Sequence, residues 1–95
     1  MQSYELTAII SPDVTEEGIS NLLERMTQFV TQSGGAIIKT DRWGKRKLAY
    51  PIQHYREGDY VVAQFELEPS KTAELEGSLK LWEELIRHLL VKLGV

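Results

Sequence analysis

Hydrophobic and polar positions change their spacing several times along the chain, and each change marks an element. Tyr4–Ile10 (YELTAII) is rich in β-formers and runs into Ser11, Pro12 and Asp13, which are turn residues. This predicts a first strand. From Ile19 the spacing shifts to three and four, through Leu22, Leu23, Met26, Phe29 and Val30, behind a Thr15 cap and the acidic Glu16 and Glu17. That is an amphipathic helix, and Gly34 with Gly35 supplies its left-handed stop. Ala36–Ile38 restart a strand that continues through Leu48, Ala49 and Tyr50 to Pro51 and Ile52, with Gly44 predicting a bulge on the way.

A loop of Arg56, Glu57, Gly58 and Asp59 leads into Tyr60–Leu67 (YVVAQFEL), the clearest strand of the chain. Strands two and three therefore form a hairpin, with a loop longer than the tightest type. Pro69 and Ser70 open a second, weaker helix ending near Leu81, with Ala73, Leu75 and Leu79 as its buried stripe and Gly77 weakening it. Leu85–Leu93 (LIRHLLVKL) suits helix or strand by periodicity. We read it as a strand, because a four-membered sheet closes better.

The resulting order, β-α-β-β-α-β, is the split arrangement of ferredoxin-like folds: an α+β sandwich with two helices on one face of a four-stranded antiparallel sheet. If Leu6, Ala8, Ile10, Val61, Ala63, Phe65 and Leu67 face the helices, then Glu5, Thr7, Ile9, Tyr60, Val62, Gln64 and Glu66 face away. Ile9, Tyr60 and Val62, with Gln64 beside them, make that uncovered face a candidate surface for a partner.

Ninety-five residues, 42% hydrophobic and 26% charged, describe one ordinary globular domain over residues 1–95. No cysteine is present, so disulfides and thiolate metal sites are excluded. The first ten residues have neither a basic leader nor a long apolar run, and no apolar stretch approaches the length of a membrane span. A cytoplasmic location is expected.

Charge changes the picture more. The net charge of −3 alone argues against a polyanionic ligand, yet Lys39, Arg42, Lys45, Arg46, Lys47 and Arg56 stand against Asp41 alone between positions 39 and 56. That local +5 leaves −8 on the rest of the chain. An exposed lysine-rich edge strand has the same composition, since edge strands use charge to resist pairing. Docked on phosphates, the patch orients binding more than it raises affinity.

Candidate chemistry is sparse. His54 and His88 stand apart from any nucleophile or paired carboxylates, so neither a catalytic constellation nor a metal site is expected, and the scattered glycines form no phosphate-cradling loop. No cofactor and no small-molecule substrate are expected. The informative segment is Arg42–Ile52, RWGKRKLAYPI, where cations and flat aromatics share one bent strand. Arg42, Lys45, Arg46 and Lys47 can neutralise phosphates, Trp43 can stack on a base, and a bend at Gly44 lets the edge follow a curved backbone.

RWGKRKLAYPI resembles the signature of the bacterial small-subunit ribosomal protein six family, and the resemblance extends through YELTAIISPD, GDYVVAQFEL and LIRHLLVKL. It implies a non-enzymatic subunit of the ribosome that binds small-subunit ribosomal RNA as a heterodimer with the eighteenth small-subunit protein. The partner would then occupy the open sheet face. By position, the resemblance adds Tyr4 and Arg87 to Lys39, Arg42, Trp43, Lys45, Arg46 and Lys47 as expected RNA contacts. Gln2 and Ser3 depart from the basic residues many members carry there, and no charged tail precedes Val95.

Two other readings compete. GDYVVAQF loosely resembles the strand-three octamer of RNA-recognition domains, but Glu57 replaces its cation and Val62 its stacking aromatic. An acylphosphatase-like enzyme would need an arginine on a glycine-rich first loop, where Ser11, Pro12 and Asp13 stand instead.

Overall fold

The computed structural model describes residues 1–94. Its elements are β1 (Gln2–Ile10), α1 (Glu16–Gln32), β2 (Ala36–Ile52), β3 (Tyr55–Leu67), α2 (Thr72–Leu81) and β4 (Leu85–Lys92), with a 3-10 turn at Pro69–Lys71 leading into α2. β1 lies between β3 and β4, and β2 joins outside β3, so the sheet runs β2-β3-β1-β4 with every pair antiparallel. This is the ferredoxin-like arrangement that the element order predicts. The ambiguous LIRHLLVKL segment is a strand, pairing Leu90 with Leu6 and His88 with Ala8.

The pleat decides which side chains reach the helices. Leu6, Ala8, Ile10, Val61, Ala63, Phe65 and Leu67 are all buried, as their alternation requires. One cluster joins Leu6, Phe65 and Leu67 to Met26 and Val30 of α1 and Leu75 and Leu79 of α2; a second joins Ile10 and Val61 to Ile19 and Leu22. Trp82 and Leu85 pack against both, so the core is continuous. α1 begins where Thr15 Oγ1 accepts the Gly18 N–H at 3.1 Å, and it stops at Gly34, whose φ of +85° is costly for residues with a Cβ.

Three local expectations are corrected. Ala73 is exposed, and the buried stripe of α2 consists of Leu75 and Leu79 alone. β3 begins at Tyr55, five residues before the predicted start, because the hairpin turns tightly through Gln53 and His54 with φ of +49° and +62°. Both central residues in the left-handed region give the primed turn that suits strand twist, though neither is the glycine or asparagine that usually announces it. Finally, Ile9 faces away from the helices but is only 8% exposed. Gly58 approaches so closely that a Cβ there would lie 2.4 Å from Ile9 Cγ2, so little of Ile9 is left on the surface of that face.

The β2–β3 arm produces that cover. Between the Lys47–Glu57 and Ile52–Tyr55 pairs, Leu48–Pro51 leave the ladder opposite Arg56 alone, an enlarged bulge. The bulge carries Tyr50 across the open face, where its Oη accepts a 2.8 Å hydrogen bond from Arg87 Nη1 on β4. A hollow of about 210 Å³ remains between the arm and the sheet, with Ile9, Tyr60 and Tyr50 among its walls.

Candidate nucleic-acid interface

The basic run lies on β2, and the strand's pairing divides it. Residues opposite each other in an antiparallel pair share a face. Arg42 stands opposite Val61 and Lys45 opposite Asp59, on the helix side, whereas Gly44 stands opposite Tyr60 and Arg46 opposite Gly58, on the open side. What reads as one cationic stripe in sequence therefore wraps an edge.

Arg42 is not a free cation. Its guanidinium donates to both carboxylate oxygens of Glu16, at 2.5 and 2.8 Å, and to both of Asp59, at 3.2 and 2.7 Å. Asp59 is nearly fully buried, and Arg42 supplies the compensating charge. The hydrogen bonds it donates to Glu16 and then to Asp59 raise the Arg42 pKa above its already high ordinary value, and Arg42 in turn holds the Glu16 carboxyl below its usual range. Arg42, expected as a phosphate contact, thus spends its charge on a clamp tying β2 to β3 and the start of α1. Sequence reasoning missed it because Glu16 lies 26 positions away.

Lys45, Arg46 and Lys47 remain exposed, and none joins an ion pair among the described residues. Lys39 is also exposed, 3.4 Å from Asp41 Oδ2, a pair too solvated to contribute much. At the Gly44 bulge, where φ is +80°, Trp43 turns its ring parallel to Tyr60, with centroids 6.3 Å apart and an interplanar angle of 6°. Trp43 keeps 52% of its surface exposed, so one flat aromatic face is presented beside the cations. Arg87 is exposed on the open side opposite Ile9 and holds Tyr50.

Tyr4 belongs elsewhere. It is 7% exposed, with its ring 5.8 Å from that of Phe65 in the core, so its expected RNA contact is withdrawn. The signal was present in the alternation, since Tyr4 shares parity with Leu6, Ala8 and Ile10.

Of the expected partner face, Tyr60, Val62 and Gln64 are half-buried, and Gln64 Nε2 donates to Glu5 Oε2 at 3.2 Å. The open face also carries Leu89 and Val91 of β4, 60% and 43% exposed, opposite Thr7 and Glu5. The same period-two reading applied to Leu85–Leu93 would have found them, because that strand is apolar on both sides. Among the described residues, no three His, Asp or Glu side chains group as a metal site.

The family model of ribosomal protein S6 matches residues 3–92. The chain belongs to the ribosomal protein S6 family. By family it is a protein of the small ribosomal subunit. It is 40% identical over 94 residues to small ribosomal subunit protein bS6 of Desulforamulus reducens, covering 99% of each chain. It is also 42% identical over 92 residues to bS6 of Fusobacterium nucleatum, covering 97% of this chain and 98% of that one. The crystal structure of 30S ribosomal protein S6 from Thermotoga maritima superposes with a TM-score of 0.92 at 36% identity, covering 97% of this chain and 87% of that one. Family and fold thus agree with the reading of RWGKRKLAYPI.

Proposed function

We propose that this S6-family chain is a non-catalytic structural component of the small ribosomal subunit that binds small-subunit ribosomal RNA together with the eighteenth small-subunit protein. The carrying observation is the separation of two surfaces. Lys45, Arg46 and Lys47 stand exposed and outside any close ion pair among the described residues on the β2 edge beside the exposed Trp43 ring, whereas Val62, Leu89 and Val91 lie on a sheet face that the helices leave uncovered. The first surface suits phosphates and an unpaired base. The second suits a protein, because an apolar sheet face gains from burial and offers phosphates nothing. An acidic chain with one free cationic edge also needs a companion to reach useful affinity for RNA, since the rest of its surface repels a polyanion.

Affinity purification of the tagged full chain from its own lysate tests this reading. Small-subunit ribosomal RNA and the eighteenth protein should co-purify, and recovery of neither would reject it. With both partners reconstituted, replacing Lys45, Arg46 and Lys47 by alanine should reduce the salt dependence of RNA binding, because fewer counterions are released. An unchanged slope would move the phosphate contact to another surface.

A further inference from the structure

A second cleft, of about 550 Å³, opens at the tip of the β2–β3 arm. It shares Leu48, Ala49 and Tyr50 with the open-face hollow and is otherwise lined by residues of the hairpin and by Pro12 of the turn after β1. Its volume falls within the roughly 300–1,000 Å³ of small-molecule sites. Its walls include Lys47, Tyr50, His54, Tyr55, Arg56 and Glu57. Three of these are flat rings, and two cations stand against one acid.

The rings are held in place. The two left-handed residues of the turn bring His54 onto Tyr55, with centroids 4.9 Å apart and planes at 29°. Tyr50 is 59% exposed, yet its hydroxyl is fixed by Arg87 at 2.8 Å, so the ring is displayed and oriented together. Lys47 is the last residue of the exposed basic run before the ladder breaks at Leu48, and it also lines the cleft. A polyanion following Lys45, Arg46 and Lys47 therefore arrives at the cleft mouth.

Cations that track a backbone and lead to aromatic faces form the arrangement by which proteins hold single-stranded nucleic acid, with phosphates on the cations and bases stacked on the rings. We infer that the hairpin-tip cleft binds an unpaired nucleotide of an RNA strand whose backbone runs along Lys45–Lys47. This rests on the RNA-binding reading above and extends it to Tyr50, His54, Tyr55 and Arg56, which the basic run alone does not single out. A peptide segment is the other occupant a cleft of this size admits. The cationic lead-in favours RNA.

The test uses the full chain reconstituted with the eighteenth protein and small-subunit ribosomal RNA carrying photoreactive uridines. Crosslinks are expected at Tyr50 and Tyr55. Tyr50→Ala should weaken RNA binding about 5–150-fold, the range for one lost base stack. Tyr50→Phe, which keeps the ring and loses only the hydrogen bond to Arg87, should bind within a few-fold of the native chain. Because Tyr50 is exposed, both variants should keep native circular dichroism; Arg56→Ala gives an independent reading of the same cleft.

Native RNA affinity in Tyr50→Ala and Arg56→Ala, with crosslinks elsewhere, would overturn the cleft assignment and leave the proposed function intact. Loss of heterodimer formation with RNA contact unchanged would instead assign the cleft to the protein partner and equally overturn it. Absence of RNA binding in the native complex would remove both readings.

Discussion

The sandwich beneath the helices and the β2–β3 arm beyond Gly44 belong to one sheet but are stabilised in different ways. In the sandwich, side chains such as Phe65, Leu6 and Leu75 are fully buried. The arm past Gly44 presents Lys45, Arg46, Lys47, Ala49, Tyr50 and Pro51 to solvent, and its ladder breaks over Leu48–Pro51. Hydrophobic burial holds the first region, whereas the second depends on a tight turn and a few polar contacts. Surface free of packing duties is what the arm gains, and Lys45, Arg46, Lys47 and the displayed Tyr50 ring lie there.

Replacing Phe65 by alanine should break the comparison from the sandwich side. The substitution empties a fully buried site against Tyr4 and should cost about 3–5 kcal/mol, a large part of the stability of a small domain. Urea titration measures it, and a loss below 1 kcal/mol would show that the core is less tightly packed than its burial indicates.

Arg42 sits at the junction of the two regions, and its replacement by alanine strands the buried Asp59 carboxylate. A loss of about 1–3 kcal/mol is expected, set by the unpaired buried group rather than by the exposed half of the clamp. Preserved stability would mean that Arg42 is available for RNA after all.

The same clamp adds a pH dependence. Arg42 holds Glu16 below its ordinary value of 4.5, so the folded state favours the ionised carboxyl, and that contribution is complete above pH 4.5. It is lost as the pH falls through the depressed value. Glu84 behaves alike: a hydrogen bond from its own backbone N–H lowers its pKa first, with Arg25 adding to the effect. Stability should therefore fall below about pH 4.5, and Glu16→Gln should make that fall shallower in thermal melts across the acid range. A profile identical to the native one would exclude the Glu16 contact in solution.

Smaller effects sharpen the contrast. Gly77 is exposed in α2 with open space where a Cβ would go, so Gly77→Ala should stabilise the fold by about 0.5–1 kcal/mol, read as a raised thermal midpoint. Replacing Lys45, Arg46 and Lys47 together should change stability by no more than about 0.5 kcal/mol while altering RNA binding. A large destabilisation would show that these cations support the fold.

Local patterning carried most of the sandwich, Ala73 and Tyr4 apart. The alternation of Tyr60–Leu67 and the helical spacing of Ile19–Val30 named the buried positions, and the Thr15 cap and Gly34 stop bounded α1 where they were expected. These features depend on neighbours within a few positions, so the chain displays them directly. The arm was harder to read. Gln53 and His54 adopt left-handed conformations without glycine or asparagine, and no composition rule marks such a turn. The candidate site was legible as a class of exposed residues, cations with aromatics, though the surroundings of each were not.

From residue order alone come the two helices, the four strands, the inner face of the sheet and the family to which RWGKRKLAYPI points. Folding in three dimensions then sorted chemically equal side chains into different duties. Arg42 was drawn into Glu16 and Asp59, Lys45–Lys47 were left in solvent, Tyr4 was packed on Phe65, and Tyr50 was carried across to Arg87. The reason is distance along the chain. Periodicity reports which side of an element a residue occupies, whereas the charge or ring that meets it there comes from a segment tens of residues away, brought close only when the sheet pairs and the helices dock.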